Sequence, residues 1–207
     1  MIKAEVNITG TVRRSASIRT DRNNQPYVSF VMSVSLADGS GTRDIRVFVS
    51  VPQARQSDLS VYTEGQRVTA SGTMDIRRKD DGLSFYLTAR LVTAENVPAL
   101  DAISGTLSFR GYLKKENIFD ERTSKNGRPY LLFSAYSSEK VGDNFVSTWV
   151  TFMRFPEKNA TVESIKPDWL RPRAHVDISS DLRISFYKEA PSLSCIVREM
   201  TEHINNS

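Results

Sequence analysis

The chain has 207 residues, 39% of them hydrophobic, and a net charge of +4. That is enough apolar material for two modest cores of about 100 residues each. Its single cysteine, Cys195, excludes an internal disulfide framework and a cysteine-rich metal site. No apolar run approaches the roughly 18 residues of a membrane span, and the opening MIKAEVNITG lacks the apolar centre of a signal peptide. The expected setting is therefore cytoplasmic, with no membrane contact and a mild basic bias toward a polyanionic partner.

Residues 2–14 read as a first strand, and 15–25 (SASIRTDRNNQ) as a polar loop whose Asn23-Asn24 tolerates positive φ. Strand two covers 27–36, a glycine-rich connection covers 37–42, and strand three covers 43–51, alternating apolar and polar positions until Pro52. Residues 52–62 (PQARQSDLSVY) have room for one short helix with proline in its first turn. Glu64-Gly65 turns the chain into strand four, 77–82 (RRKDDG) reads as an Asp-Gly hairpin turn, and 83–92 forms strand five. Residues 95–104 (ENVPALDAIS) are a short linker.

The same plan then returns. Pro26-Tyr27 and Pro129-Tyr130 each open a strand, and each is followed at nearly equal distance by an alternating run that stops at a proline: 45–52 (IRVFVSVP) and 148–156 (TWVTFMRFP). Residues 8–12 (ITGTV) match 109–113 (FRGYL), each with a central glycine suited to a bend, and 68–76 matches 176–184. The residues 125–128 (KNGR) are a hairpin turn, 157–169 a longer helical segment, and 201–207 (TEHINNS) a frayed end. Five strands with a short helix between the third and fourth is the order of an OB-fold Greek-key barrel. The expected fold is all-β: two such barrels in tandem, 1–94 and 105–207, on either side of the linker.

Asn126-Gly127 before the Pro129-Tyr130 strand, Thr148-Trp149 with Phe155 beyond, 62–72 (YTEGQRVTASG) and 86–92 (YLTARLV) form one set of spaced motifs. On these residues the chain resembles the bacterial and phage single-stranded DNA-binding protein family. The resemblance implies sequence-tolerant binding of single-stranded DNA in replication or recombination. It places the family's stacking positions on Trp149, Phe155 and Tyr187, and their counterparts in the first copy on Ile45, Val51 and Lys79, none of them aromatic. The second barrel is thus expected to stack bases and the first to contribute mainly charge. The family usually presents four barrels, which implies a homodimer here, through an apolar strand face of Ile45, Val47, Val49 and Val51. The family's acidic recruiting tail has no counterpart in the closing EMTEHINNS.

Single-strand binding needs flat rings for bases and cations for phosphates. Lys125, Arg128 and Arg154 lie near the second copy's aromatic residues in sequence, with Tyr130 a further candidate ring; Arg43, Arg46, Arg77, Arg78 and Lys79 supply charge in the first copy. Alternation assigns Phe30, Phe48, Phe133 and Phe152 to the cores and leaves Trp149 open between core and surface. No catalytic residues, metal or cofactor are expected: His175 and His203 lack a nucleophile or carboxylate at motif spacing, and Asp120-Glu121 reads as a solvated loop. An RNA-binding or primosome-accessory protein, and a protein-interaction scaffold that binds no nucleic acid, are the alternatives on the same fold.

Overall fold

The computed structural model describes residues 2–39, 41–52, 56–79 and 82–204. The chain is almost entirely β-structure and divides into two compact units, Lys3–Gly105 and Thr106–Ser207. Among the described residues no α-helix occurs, and no helix is long and apolar enough to cross a membrane.

The first unit holds β1 (Ile2–Thr20), β2 (Pro26–Asp38), β3 (Gly41–Pro52), β4 (Arg67–Lys79) and β5 (Gly82–Thr93). β1 pairs with both β2 and β4, β2 with β3, β4 with β5, all antiparallel, and β3 pairs with β5 in parallel, so the pairing circuit closes on itself. Strict alternation makes this possible. Val68, Ala70, Met74 and Ile76 of β4 point inward, as do Val28, Phe30, Met32 and Val34 of β2 and Phe85 and Leu87 of β5, all almost fully buried. Gly10 lets β1 and β2 cross closely, since a Cβ there would stand 2.4 Å from the Ser33 carbonyl oxygen. The expected loop 15–25 is mostly a hairpin instead: two register shifts let β1 run on to Thr20, and the turn closes where the Asp21 carboxylate accepts the amides of Asn23 and Gln25, both at 2.8 Å, with Asn24 at φ 56°. The sequence looks like loop there because both faces of the extended arm are solvated.

In the second unit, β6 (Ala102–Leu113) pairs with β8 (Pro129–Val141) and β10 (His175–Asp181), β8 with β9 (Asn144–Arg154), β10 with β12 (Ala190–Glu202), and β12 with β9 in parallel. The circuit is the same, but the first strand is split. β7 (Phe119–Thr123) pairs separately with the start of β8, and β11 (Ile184–Tyr187) forms its own hairpin with β12. Leu107, Phe109, Leu131, Phe133, Val150, Phe152, Val176 and Leu193 fill this core. Asp120 and Glu121 lie on β7 rather than in a loop, paired with Arg122 and Lys166.

Where helices are expected between the third and fourth strands, the described residues form single 3₁₀ turns, Gln56–Ser60 and Val162–Ile165. The start of the first expected helix at 53–55, the Asp80-Asp81 turn residues and the tail residues 205–207 lie outside the described residues. The linker expected to span 95–104 is fastened to the first unit: Asp101 accepts from Arg67 at 2.7 Å and from the Ser35 amide at 2.8 Å, and Arg67 also donates to the Pro98 carbonyl. The C-terminal end is not frayed at its start, because β12 runs to Glu202 and the His203 amide donates to the His175 carbonyl at 2.8 Å. The apolar face assigned to a homodimer is also corrected. Ile45, Val47 and Val49 are the first unit's core, 0–3% exposed, and are not available to a partner.

Candidate nucleic-acid interface

Because a strand has two faces, burial of Val47 and Val49 sends Phe48 outward, where it is 40% exposed. It stacks on Tyr86, its parallel partner on β5, with ring centroids 5.3 Å apart and planes 19° from parallel. The free tips of β4 lie over this pair, with the Lys79 ammonium 5.3 Å and the Arg77 guanidinium 6.0 Å from the Tyr86 ring centre. Arg77, Arg78 and Lys79 are all exposed and make no ion pair among the described residues. The first unit therefore carries outward rings together with its cations, where the expectation is of a mainly electrostatic contribution with Phe48 in the core. Phe30, Phe133 and Phe152 are core as expected.

Of the other first-unit cations, Arg43 is tied to Asp38 at 2.9 Å, whereas Arg46 points outward from β3 with no ion pair among the described residues. At one end of the same unit a groove of about 700 Å³ is lined by Arg22, Tyr27, Ser50, Pro52 and Thr88 among others.

Trp149 is 45% exposed on the outer face of β9 and leans on Tyr136 of β8 with centroids 4.9 Å apart. The core side of β9 at this point is Thr148 and Val150, so the tryptophan is not a core residue. Phe155 shares its face, roughly 20 Å further along at ~3.3 Å per residue. There it packs on Tyr130 at 5.0 Å, and the Arg128 guanidinium lies 4.9 Å from its ring centre. Arg128 is aimed by a hydrogen bond of 2.6 Å from its Nη2 to the Pro156 carbonyl, and its amide is fixed by the Ser124 hydroxyl at 3.0 Å. Lys125 is exposed in the same turn. Arg154, by contrast, donates to the Ile165 carbonyl at 3.0 Å, and burial lowers its pKa, so it holds the 3₁₀ segment rather than facing solvent freely. Lys166 completes that anchorage between Glu121 and Glu163, whose hydrogen bonds raise its pKa.

Tyr187 is 68% exposed beside a two-residue turn in which Lys188 and Glu189 both have positive φ, and the Lys188 ammonium sits 5.5 Å from its ring centre. Tyr187 pairs with Ala190 as Lys79 pairs with Gly82, so these two residues are indeed counterparts across the copies. The other two counterparts are not those expected. Tyr136 pairs with Trp149 and Ser33 with Arg46, with burial in phase, so Trp149 corresponds to Arg46 rather than Ile45, and Phe155 to Pro52 rather than Val51.

Solved structures similar to this chain include single-stranded DNA-binding proteins. That of Thermus aquaticus is 13% identical over 99% of this chain and 94% of its own, with a TM-score of 0.48. The mitochondrial protein Rim1 of Saccharomyces cerevisiae is 22% identical over 49% of this chain and 96% of its own, at 0.37. The small protein of Streptomyces coelicolor is 17% identical over 45% and 90%, at 0.33. No protein-family model and no curated protein matches the sequence.

Proposed function

We propose that this chain is a binder of single-stranded DNA, built as two tandem OB barrels that stack bases on outward-facing rings and neutralise phosphates with the cations beside them. One observation carries the reading: cations that make no ion pair among the described residues lie against outward rings at three separate points, Tyr86 with Arg77 and Lys79, Phe155 with Arg128, and Tyr187 with Lys188, whereas the Lys166 ammonium over Phe119 is already held by Glu121 and Glu163. A cation over an exposed ring is worth only ~0.5–1 kcal/mol to the fold, whereas a base stacked on the ring adds ~1–3 kcal/mol and brings a phosphate within the cation's reach. Every base has a π-face, so such contacts are sequence-tolerant. Exposed single strands arise in replication and recombination, which is the setting we assign, in the cytoplasm and without a catalytic role.

The test is tryptophan emission titrated with oligo-dT at two salt concentrations. Strong quenching of Trp149 with a steep salt dependence is the expected result. Unchanged emission together with no change in anisotropy of a labelled oligonucleotide sinks the reading in favour of a protein-interaction scaffold.

A further inference from the structure

The contact between Trp149 and Tyr136 is the first step of a longer row of rings. Tyr136 lies 5.9 Å from Tyr112 on β6, Tyr112 stacks on His175 of β10 at 4.4 Å and 13°, and His175 meets His203 edge-on at 4.2 Å. The row thus crosses β9, β8, β6 and β10 on successive, hydrogen-bonded strands, at right angles to the Trp149–Phe155 direction. It is open to solvent, with Tyr112 40% exposed.

Nothing in the fold requires rings there. Thr11 pairs with Ser33 and Arg67 in the first unit as Tyr112 pairs with Tyr136 and His175 in the second, so the same row reads Arg46, Ser33, Thr11, Arg67. Three of those four side chains bond to one another or to neighbouring carboxylates: Ser33 to Asp44, and Arg67 to Thr11 and Asp101. The two barrels close equally well with either set, so the aromatic row is not a packing requirement. Behind it, Ala135, Leu113, Val150 and Val176 fill the core. Cations flank its Tyr112–His175 pair: Lys114 and Arg173 each lie two residues along the chain from it in the same register, the Arg173 amide donating to the Lys114 carbonyl, and neither side chain makes an ion pair among the described residues. His203 is held in place by Asp177 at 2.6 Å, itself bonded to Arg110.

Resting on the single-stranded DNA reading, we infer that Trp149, Tyr136, Tyr112 and His175 form one continuous stacking track that carries the strand across the outer face of the second barrel, past Lys114 and Arg173, as a branch distinct from the Tyr130–Phe155–Arg128 site. The track adds bases to the bound length, so its signature is length dependence.

Affinity is to be measured for oligo-dT of increasing length with the wild type, a Tyr112→Ala/His175→Ala double variant, a ring-conserving Tyr112→Phe variant and Trp149→Ala, each checked by thermal melting and light scattering. In the wild type and Tyr112→Phe, affinity should keep rising over lengths at which the double variant has already levelled off, leaving the double variant weaker on long oligonucleotides by roughly fivefold or more. A folded double variant that follows the wild type at every length, while Trp149→Ala loses binding, overturns the track and leaves DNA binding by the chain intact. A double variant whose oligomeric state changes with binding unaltered also overturns it, by making the row a subunit contact. Absence of binding by the wild type removes the parent reading and the track with it.

Discussion

Phe48 and Tyr86, distant in sequence, stack at 5.3 Å because β3 and β5 pair in parallel with these two residues in register. The pair lies outside the core and has Lys79 and Arg77 above it. Phe48→Ala should therefore weaken oligo-dT binding by about fivefold to a hundredfold, the equivalent of one lost base stack of ~1–3 kcal/mol. Its melting temperature should fall by only a few degrees. A variant with full affinity would show that the first barrel's rings do not touch the strand.

Trp149 leans on Tyr136 but leaves nearly half its surface open. Trp149→Ala should reduce affinity by roughly ten- to a hundredfold while the fold persists. Trp169 is the other tryptophan, so this variant also isolates its emission. If the quenching amplitude survives the substitution, Trp149 is not the reporter and the stacking role fails.

Much of the fold was legible because the strands are amphipathic with period two, and because the duplicated order left matching prolines and glycines, such as Gly10 and Gly111. The site was less so, for identifiable reasons. Aligning the copies on Pro52 and Pro156 moves the register by one residue, and in a strand that exchanges the faces: it matched exposed Trp149 to buried Ile45 instead of exposed Arg46. Alternation alone puts Phe48 on one face of β3 and Ile45, Val47 and Val49 on the other without saying which face is inside; taking Phe48 as core and the valines as a partner surface exchanges the two, since Ile45, Val47 and Val49 line the core and Phe48 faces solvent. The row through Tyr112, Tyr136, Trp149, His175 and His203 joins five distant segments and leaves no local pattern. Arg154 looked like a phosphate ligand because sequence does not reveal that the Ile165 carbonyl takes its proton-bearing nitrogen.

Arg77, Arg78 and Lys79 make no ion pair among the described residues, so phosphates need not displace a described carboxylate to reach them. Changing all three to Ala should flatten the log–log dependence of affinity on salt by about 2, at ~0.7 per phosphate on a single strand, and cost progressively less as salt rises. An unchanged slope would remove the hairpin tip from the interface.

Gly111 sits where β6 meets β8, and a Cβ there would stand 2.2 Å from the Tyr136 carbonyl oxygen and 2.7 Å from the Phe109 ring. The first obstacle is backbone and cannot swing away. Gly111→Ala should destabilise the second unit by about 1–3 kcal/mol or more, as overpacking does, and distort the seat of Tyr112 and Tyr136. Differential scanning calorimetry is the measurement, and an unshifted transition would mean that β6 and β8 separate more easily than their pairing implies.

His175 gives the chain a pH dependence whose sign can be worked out. Its partial burial disfavours the imidazolium, the positive charges of His203 when protonated and of Arg110 act in the same direction, and Asp177 opposes them less strongly, so the folded-state pKa lies below the ordinary value. As pH falls below the unfolded value of about 6.5, the unfolded chain takes up this proton before the folded chain does, and folding stability declines until pH passes the lower folded value. Urea midpoints measured from pH 7.5 down to about 5 should fall with acidification, and the fall should be smaller in His175→Gln, which keeps a planar polar group without the titration. Equal declines in the two proteins would assign the effect to another group and would sink the account of His175 as the titrating member of the row.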